Sequence, residues 1–410
     1  MGLYINSIRF IRDSGQEVVK TTEKVVGIPL KAKVFDQHFI VEEFISGLNA
    51  PILMEFVGND ILILEKNSGH VNLIQNGVLQ SEPLLDFDVA HTNESGLLGI
   101  TNNENQVFIF VTETDKDGTK TIGNNIYSYT WTGSELTNKK LENSLSSESS
   151  WHNGGAMTTN SDGQVFAVIG DQFGGNRTGL KNDYRILQNV MHGDVDDSGV
   201  IVKVGINSEI TQPKLSENPF EHYYGIGIRN SFGLAFDPIT DKLWNSENGP
   251  DSYDEINLVN ENFNSGWIPV MGPASEEQIS KIPKLDPFEY SDPEFSWERP
   301  VVPTGITFVT SNDFSKYEND LLVGSCLGYL FKFQLAGDRN GFVFNSPHLQ
   351  DLVANYIELD NGKMGFESMD EILFGEGFGC ITDIEFGPDG YLYVVSISDN
   401  AIYRILPKSN

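Results

Sequence analysis

One local pattern constrains this chain more than any other: a turn of Asn, Asp or Gly, an alternating apolar strand, a second turn, then another apolar strand. It is read at Gly58-Asn59-Asp60 with ILILEK and VNLI, at Asn103-Glu104-Asn105 with VFIFVT and IYSYTW, and at Ser161-Asp162-Gly163 with VFAVIGD and VIVKV. It returns at Thr240-Asp241 with KLWNSE and EINLV, at Glu318-Asn319-Asp320 with LLVGS and LFKFQL, and at Pro388-Asp389-Gly390 with YLYVVS and AIYRIL. A 3.6-residue helical period is hard to find over any length, so strands dominate. The six units begin near residues 61, 107, 165, 242, 321 and 391. Those increments fit repeats of about 45 residues, with long loops inserted in the middle of the chain. The expectation is an all-β fold, a six-bladed β-propeller, with a pair of β-sandwiches as the alternative. Residues 1–35 lack a complete unit and read as an N-terminal arm or an outer strand that closes the ring. Residues 36–410 read as one propeller domain, whose inserted loops would build a site over a central channel.

Charge and cysteine content narrow the function. With 58 acidic and 27 basic residues the formal net charge is −31. Such a surface repels phosphate backbones and anionic lipid, which argues against a nucleic-acid or membrane-surface partner. It favours cations, Ca²⁺ among them, although adaptation to a saline habitat explains the bulk charge equally well. No run approaches the ~18 apolar residues of a membrane helix, and the first thirty residues show no signal-peptide apolar segment. Two cysteines, Cys326 and Cys380, exclude a disulfide framework and a Cys₄ zinc site. The loops that cradle nucleotides and the motifs of zinc or serine hydrolases do not occur.

Four stretches carry candidate chemistry. His152 lies in Trp151-His152-Asn153-Gly154-Gly155, where glycines let the backbone approach a flat ligand and imidazole can accept a proton near neutral pH. Asp171, followed by Gln172, ends the next strand and is spaced so that its carboxylate can orient that ring. Arg229 and Asn230 follow a glycine-rich turn, an arrangement suited to oxyanions or polarised carbonyls. Between Glu247 and Asn257, acidic side chains including Asp254 and Glu255 stand beside the Gly249-Pro250 turn. That segment reads equally as a Ca²⁺ site of carboxylates and carbonyls or as a solvated acidic loop.

Taken in order, Gly47-Leu48-Asn49-Ala50-Pro51, Glu94-Ser95-Gly96-Leu97-Leu98-Gly99-Ile100, His152-Asn153-Gly154-Gly155, Gly170-Asp171-Gln172, Gly227-Ile228-Arg229-Asn230, Glu247-Asn248-Gly249-Pro250, Asp254-Glu255-Ile256-Asn257, Gly266-Trp267 and Gly387-Pro388-Asp389-Gly390 resemble the glucose/sorbosone dehydrogenase family of soluble quinoproteins. The resemblance implies a six-bladed propeller holding pyrroloquinoline quinone (PQQ) and Ca²⁺. It implies that His152 is the general base supported by Asp171, and that Glu94, Gln172, Arg229 and Asn230 stand beside the quinone. It places the metal at Gly249 and Pro250, with Asp254 and Glu255 nearby. The implied reaction oxidises the anomeric hydroxyl of an aldose to a lactone and passes electrons to an acceptor, in an extracytoplasmic compartment. Oligomeric state stays open.

The departures from the family are local. Where its members carry a lysine in a Ser-Leu-Lys segment and arginines in a Gly-Arg-x-Arg-Asp segment, this chain reads Ser325-Cys326-Leu327-Gly328 and Gly379-Cys380-Ile381-Thr382-Asp383. The cations expected to hold the cofactor's carboxylates are missing, unless Arg177, Lys181 or Arg185 replaces them. Two functions therefore stand: a quinoprotein sugar dehydrogenase with an altered cofactor pocket, or a non-catalytic propeller that binds carbohydrate or protein. The cysteines fall at these positions on neighbouring blades, so they are either close enough to pair at the channel mouth or two separate buried thiols.

Overall fold

The computed structural model describes residues 31–115, 121–145, 147, 149–172, 186–190, 195–205, 220–359 and 362–408. Arg177, Lys181 and Arg185 lie outside them. Six sheets of four to six strands follow one another along the chain, joined by a two-stranded hairpin at Tyr356–Glu358 and Met364–Phe366. The innermost strands are Pro51–Val57, Leu97–Asn103, Met157–Thr159, Ser231–Phe236, Pro303–Phe308 and Ile381–Phe386. Each touches the next, and the last returns to the first, so the six strands enclose a channel. This is an all-β propeller. Its one α-helix among the described residues is the four-residue Glu276–Ile279, and no helix there is long and apolar enough to cross a membrane.

Alternating side chains explain how the sheets stack. Each strand of a packed sheet offers one set of residues to either neighbour. Along Leu243–Glu247, Trp244 joins an apolar layer with Phe295, Trp297, Phe331 and Phe333, while Leu243 joins a different layer with Val168, Ile201 and Val259. Apolar layers of this kind fill the space between consecutive sheets all round the ring. Trp297 is fully buried among aromatic rings with centroids 5.1–5.7 Å away. Replacing it with alanine should cost about 3–5 kcal/mol.

The ring closes through the N-terminal region. Phe39–Ser46 pairs antiparallel with Ala401–Pro407 as the outermost strand of the last sheet, and Glu42 accepts a 2.8 Å bond from Arg404 Nε. Lys33–Val34 adds to the edge of the preceding sheet by pairing with Leu373–Glu376.

The strands used above to count repeats, beginning near 61, 107, 165, 242, 321 and 391, are the second strands of the sheets, not the first. The true first strands line the channel. There Thr101 and Asn102 line the channel and Gly99 packs where a Cβ would fall 1.8 Å from the Gly155 carbonyl, which breaks the apolar alternation.

Candidate active site

First strands run away from one end of the channel and second strands run back to it, so that end gathers residues distant in sequence. Glu94, His152, Arg229, Asn230 and Cys380 lie one to five residues before first strands, whereas Lys66, Asp171, Glu247 and Cys326 sit at or just after the ends of second strands. The candidate residues thus share one rim.

His152 is buried, and its φ of 57° is in the left-handed region, which few side chains adopt. Three contacts hold it there. Its main-chain N–H donates to Glu94 Oε2 at 2.6 Å, and its carbonyl accepts from Gly170 N at 3.0 Å. Its Nδ1 lies 2.6 Å from the Asp171 carbonyl. A carbonyl can only accept, so Nδ1 carries the proton and Nε2 keeps its lone pair. Burial lowers the imidazole pKa and Arg229 lowers it further, against the opposing fields of Glu94 and Asp171. The ring is therefore held neutral, as a base must be.

Glycines permit this packing. A Cβ on Gly154 would stand 2.4 Å from the Val168 carbonyl, and one on Gly170 would stand 2.5 Å from the Arg229 carbonyl. The glycine pair after His152 thus serves the approach of three chain segments to one another.

The part played by Asp171 differs from the expectation. Its main-chain carbonyl meets the imidazole, while its carboxylate accepts 2.7 Å from Trp267 Nε1. The Asp171 N–H donates to the Arg229 carbonyl at 2.7 Å, which anchors the Asp171 backbone beside His152. The carboxylate still favours imidazolium through space. Gln172 is fully buried, and its Nε2 donates to Asn153 Oδ1 at 2.8 Å.

Arg229 crosses the rim. Its Nη1 donates to the Asn248 carbonyl at 2.6 Å, and its guanidinium lies 5.3 Å from the Trp267 ring centroid. Its main-chain N–H is held by Glu247 Oε1 at 2.6 Å, and Glu247 Oε2 accepts from Ser265 at 2.8 Å. Burial raises the Glu247 carboxyl to about 7. Asn230 Nδ2 donates to Glu94 Oε2 at 3.3 Å. Two buried atoms of this wall, Arg229 Nε and Asn230 Oδ1, have no hydrogen-bond partner among the described residues.

At the acidic turn, Asp254 is committed to the protein. Its Oδ1 accepts from Gly249 N at 2.9 Å, and its Oδ2 accepts from Val301 N at 2.6 Å and Val302 N at 2.7 Å. Glu255 Oε1 accepts from Gly272 N, and its residue stands opposite Glu247 in the strand register. Gly249 is required by the turn, since a Cβ there would fall 1.8 Å from the Tyr253 carbonyl. Gly249 and Pro250 are half-buried. Among the described residues no three His, Cys, Asp or Glu side chains cluster in a way that holds a metal.

Cys326 and Cys380 form a disulfide, with Cα atoms 3.7 Å apart and a sequence separation of 54. It ties the end of Leu321–Ser325 to the residue before Ile381–Phe386, on neighbouring sheets at the site's rim. Leu327 beside it is 52% exposed, whereas Thr382 is buried and its Oγ1 has no partner among the described residues.

Three residues of this rim had no role assigned from sequence. Trp267 sits in the Gly266-Trp267 pair, and Glu247 opens the acidic segment. Lys66 is the charged residue directly after a strand buried almost throughout, Asp60–Glu65.

The chain belongs to the family described as glucose/sorbosone dehydrogenase, whose model matches residues 48–404. It is 25% identical over 382 residues to an uncharacterized protein of Synechocystis, covering 87% of this chain and 83% of the other. It is 29% identical to quinoprotein glucose dehydrogenase B of Acinetobacter calcoaceticus, over 59% of this chain and 55% of that protein. With the aldose sugar dehydrogenase of Escherichia coli it shares 25% identity over 63% of this chain and 61% of that protein. Among solved structures, the PQQ-bound aldose sugar dehydrogenase of Streptomyces coelicolor superposes with a TM-score of 0.62 at 19% identity, covering 90% of this chain and 98% of the other. At that identity the likeness speaks for the fold.

Proposed function

We propose that this protein is a quinoprotein sugar oxidoreductase, oxidising the anomeric hydroxyl of an aldose to a lactone with PQQ and Ca²⁺ outside the cytoplasm. On this reading residues 36–410 are one propeller domain, and residues 1–35 are an N-terminal arm or outer strand. The observation that carries the reading is a buried, neutral His152 whose Nδ1 is occupied by a carbonyl, leaving Nε2 to act, in a chain of this family.

The residues divide the work. His152 Nε2 takes the proton of the anomeric hydroxyl. Glu94 fixes the main chain of His152 and the side chain of Asn230. Arg229 Nε, buried without a partner among the described residues, suits an oxygen that gains negative charge. Asn230 Oδ1 suits a donor on the same ligand. This wall fits a quinone edge. When bound, PQQ supplies the two-electron acceptor and Ca²⁺ the Lewis acid that polarises it. The carbonyls of Gly249 and Pro250 are the ligands proposed for the metal. Asp254 and Glu255 fit less well, because both carboxylates already accept main-chain N–H groups.

The opposite wall does not fit a tricarboxylate. Leu327 and the Cys326–Cys380 disulfide stand where the resemblance expects cations. That observation favours a second reading, a non-catalytic propeller that binds carbohydrate or a protein partner. Titrating the full chain with PQQ and Ca²⁺ by absorbance and calorimetry, then assaying dye reduction with a panel of aldoses, separates the two. Saturable quinone binding with aldose-dependent reduction is expected. Absence of quinone binding at millimolar Ca²⁺ removes the enzyme.

A further inference from the structure

We propose that Lys66 is a positioning residue for this site, clamping the Asn93–Ser95 segment so that Glu94 can hold His152 and Asn230; the kinetic consequence rests on the function proposed above, the structural one does not. An ammonium has three N–H donors and no acceptor. Lys66 Nζ finds three acceptors: the Ser95 carbonyl at 2.7 Å, the Asn93 carbonyl at 2.9 Å and Asn67 Oδ1 at 3.3 Å. All three donors are therefore spent on the protein, so the side chain braces the loop and does not bind a ligand itself.

The braced carbonyls flank Glu94. From the other side the loop is laced to the His152 segment, because Glu94 N donates to the Ser150 carbonyl at 2.9 Å and Asn93 Nδ2 to Ser150 Oγ at 2.7 Å. The Glu94 carboxylate then receives His152 N at 2.6 Å and Asn230 Nδ2 at 3.3 Å. Gly96 completes the fit, since a Cβ there would meet the Lys66 carbonyl at 2.5 Å and Lys66 Cγ at 2.7 Å. The lysine stem lies where any larger residue would stand. Burial lowers the Lys66 pKa to about 8, with Glu94 holding it up, so the ammonium form and its third donor persist at neutral pH.

A strand-end lysine that spends its charge on two main-chain carbonyls acts through geometry. Small displacements of a base cost rate steeply, on the order of 10²-fold for about 1 Å. Lys66→Met keeps the stem and removes the donors. In the apo protein, residue-resolved amide hydrogen exchange should show His152 N–H exchanging about tenfold faster in Lys66→Met, with amides of the remote strand Ala401–Pro407 unchanged. In the quinone-loaded enzyme kcat should fall about 10- to 100-fold with KM for sugar within about twofold. Because both native cysteines are paired, Lys66→Cys alkylated with 2-bromoethylamine rebuilds an ammonium at this position alone, and it should restore both readouts. An unchanged His152 exchange rate in a folded Lys66→Met protein overturns the proposal, as does a loss that spreads to the remote strand and is not rescued by alkylation. If the loaded wild type shows no sugar oxidation, the proposed function fails while the exchange measurement still decides the role of Lys66.

Discussion

The two ends of the channel are built from the same six strands and neutralise their acids in different ways. At the rim, Glu94 is faced by Lys66 and by the N–H groups of His152 and Asn230, and Asp171 is faced by Trp267. At the far end a cavity of about 370 Å³ is lined by Glu55, Asp383 and Glu385 together with Phe56, Phe236, Phe308 and Phe386. Among its described lining residues there is no lysine, arginine or histidine. Burial and Asp383 push Glu55 up to about 8, burial raises Asp383 to about 7, and Glu385 is raised well above the usual carboxylate range by burial, Glu55 and Asp383. A lysine and an arginine stand among the acids of the rim; at the far end Glu55 accepts from Asn102 Nδ2 and Asp383 from the N–H groups of Met54 and Ile384, with no cation among the described lining residues, and burial favours the protonated carboxyls. The difference teaches that charge alone does not mark the site. What marks it is a neutral base beside a cation that has an unused donor.

The comparison breaks first at His152. His152→Gln removes the lone pair at the rim and leaves the far end untouched. General-base catalysis contributes about 10²–10⁴-fold, so kcat for aldose oxidation should fall by about 10³ while quinone binding by absorbance stays near wild type. Wild-type turnover would remove His152 as the base. Because its pKa lies below the ordinary histidine value, the acid limb of the kcat/KM profile should fall below about pH 6.5.

The disulfide tests how far rim rigidity matters. Closing 54 residues of chain is worth about 4 kcal/mol in loop entropy. Adding reductant should lower the melting temperature by several degrees, and Cys326→Ser should reproduce the shift. A melting temperature indifferent to reductant means that the pair contributes little to the fold.

The far end predicts a pH dependence of stability. Groups whose folded pKa is raised stabilise fully below their unfolded value and lose that contribution as pH rises through the folded one. Glu55 and Asp383 there, Glu247 and Asp254 behind the rim, and Glu294, which accepts from the N–H of Leu258, all behave this way, with folded values from about 6 to about 8. His152 acts in the opposite sense, losing stability below about pH 6.5 because the unfolded ring takes the proton more readily. Five groups outweigh one, so denaturant midpoints should fall between about pH 5 and 8. Glu55→Gln should flatten that slope, raising the denaturant midpoint more at pH 8 than at pH 5. A stability that rises over this range would show that the channel acids are ionised and paired.

Much of this was legible in the sequence, and the reasons for the remainder are local. The second strands, such as ILILEK and VFAVIGD, announce themselves because both faces are packed and apolar. The channel-lining strands do not, because they pack so closely on the neighbouring sheets that Gly99, Gly233 and Gly305 interrupt the pattern: a Cβ there would fall 1.8 Å from the Gly155 carbonyl, 2.2 Å from the Thr304 carbonyl and 2.8 Å from Asp383 Cα. His152, Arg229 and Glu94 were marked by family spacing, and the structure brings them to one rim. Which atom of Asp171 meets the ring was beyond sequence, since it depends on how the Asp171 backbone is anchored through its N–H on the Arg229 carbonyl. Lys66 was hidden for the same reason: its acceptors are main-chain carbonyls, which carry no signature of residue type.

The smallest effect concerns the wall that departs from the family. Thr382 is buried, so an arginine there would add an unpaired charge to a packed position, and Cys380 is bonded. Leu327 is the opening: it is exposed beside the disulfide, and its N–H already donates to Ser325 Oγ at 3.0 Å, which fixes the backbone whatever the side chain. Leu327→Lys places one flexible ammonium at the rim at little cost to the fold. A single exposed charge pair is worth about 0.2–1 kcal/mol, so PQQ affinity should rise about two- to fivefold in calorimetric titration at low salt, with the gain lost at high salt. If affinity rises and His152→Gln in that background still abolishes turnover, the two walls act independently, one on the cofactor and one on the sugar. If the lysine changes nothing at any ionic strength, the quinone does not reach this wall, and the rim from Glu94 to Arg229 must hold its ligand alone.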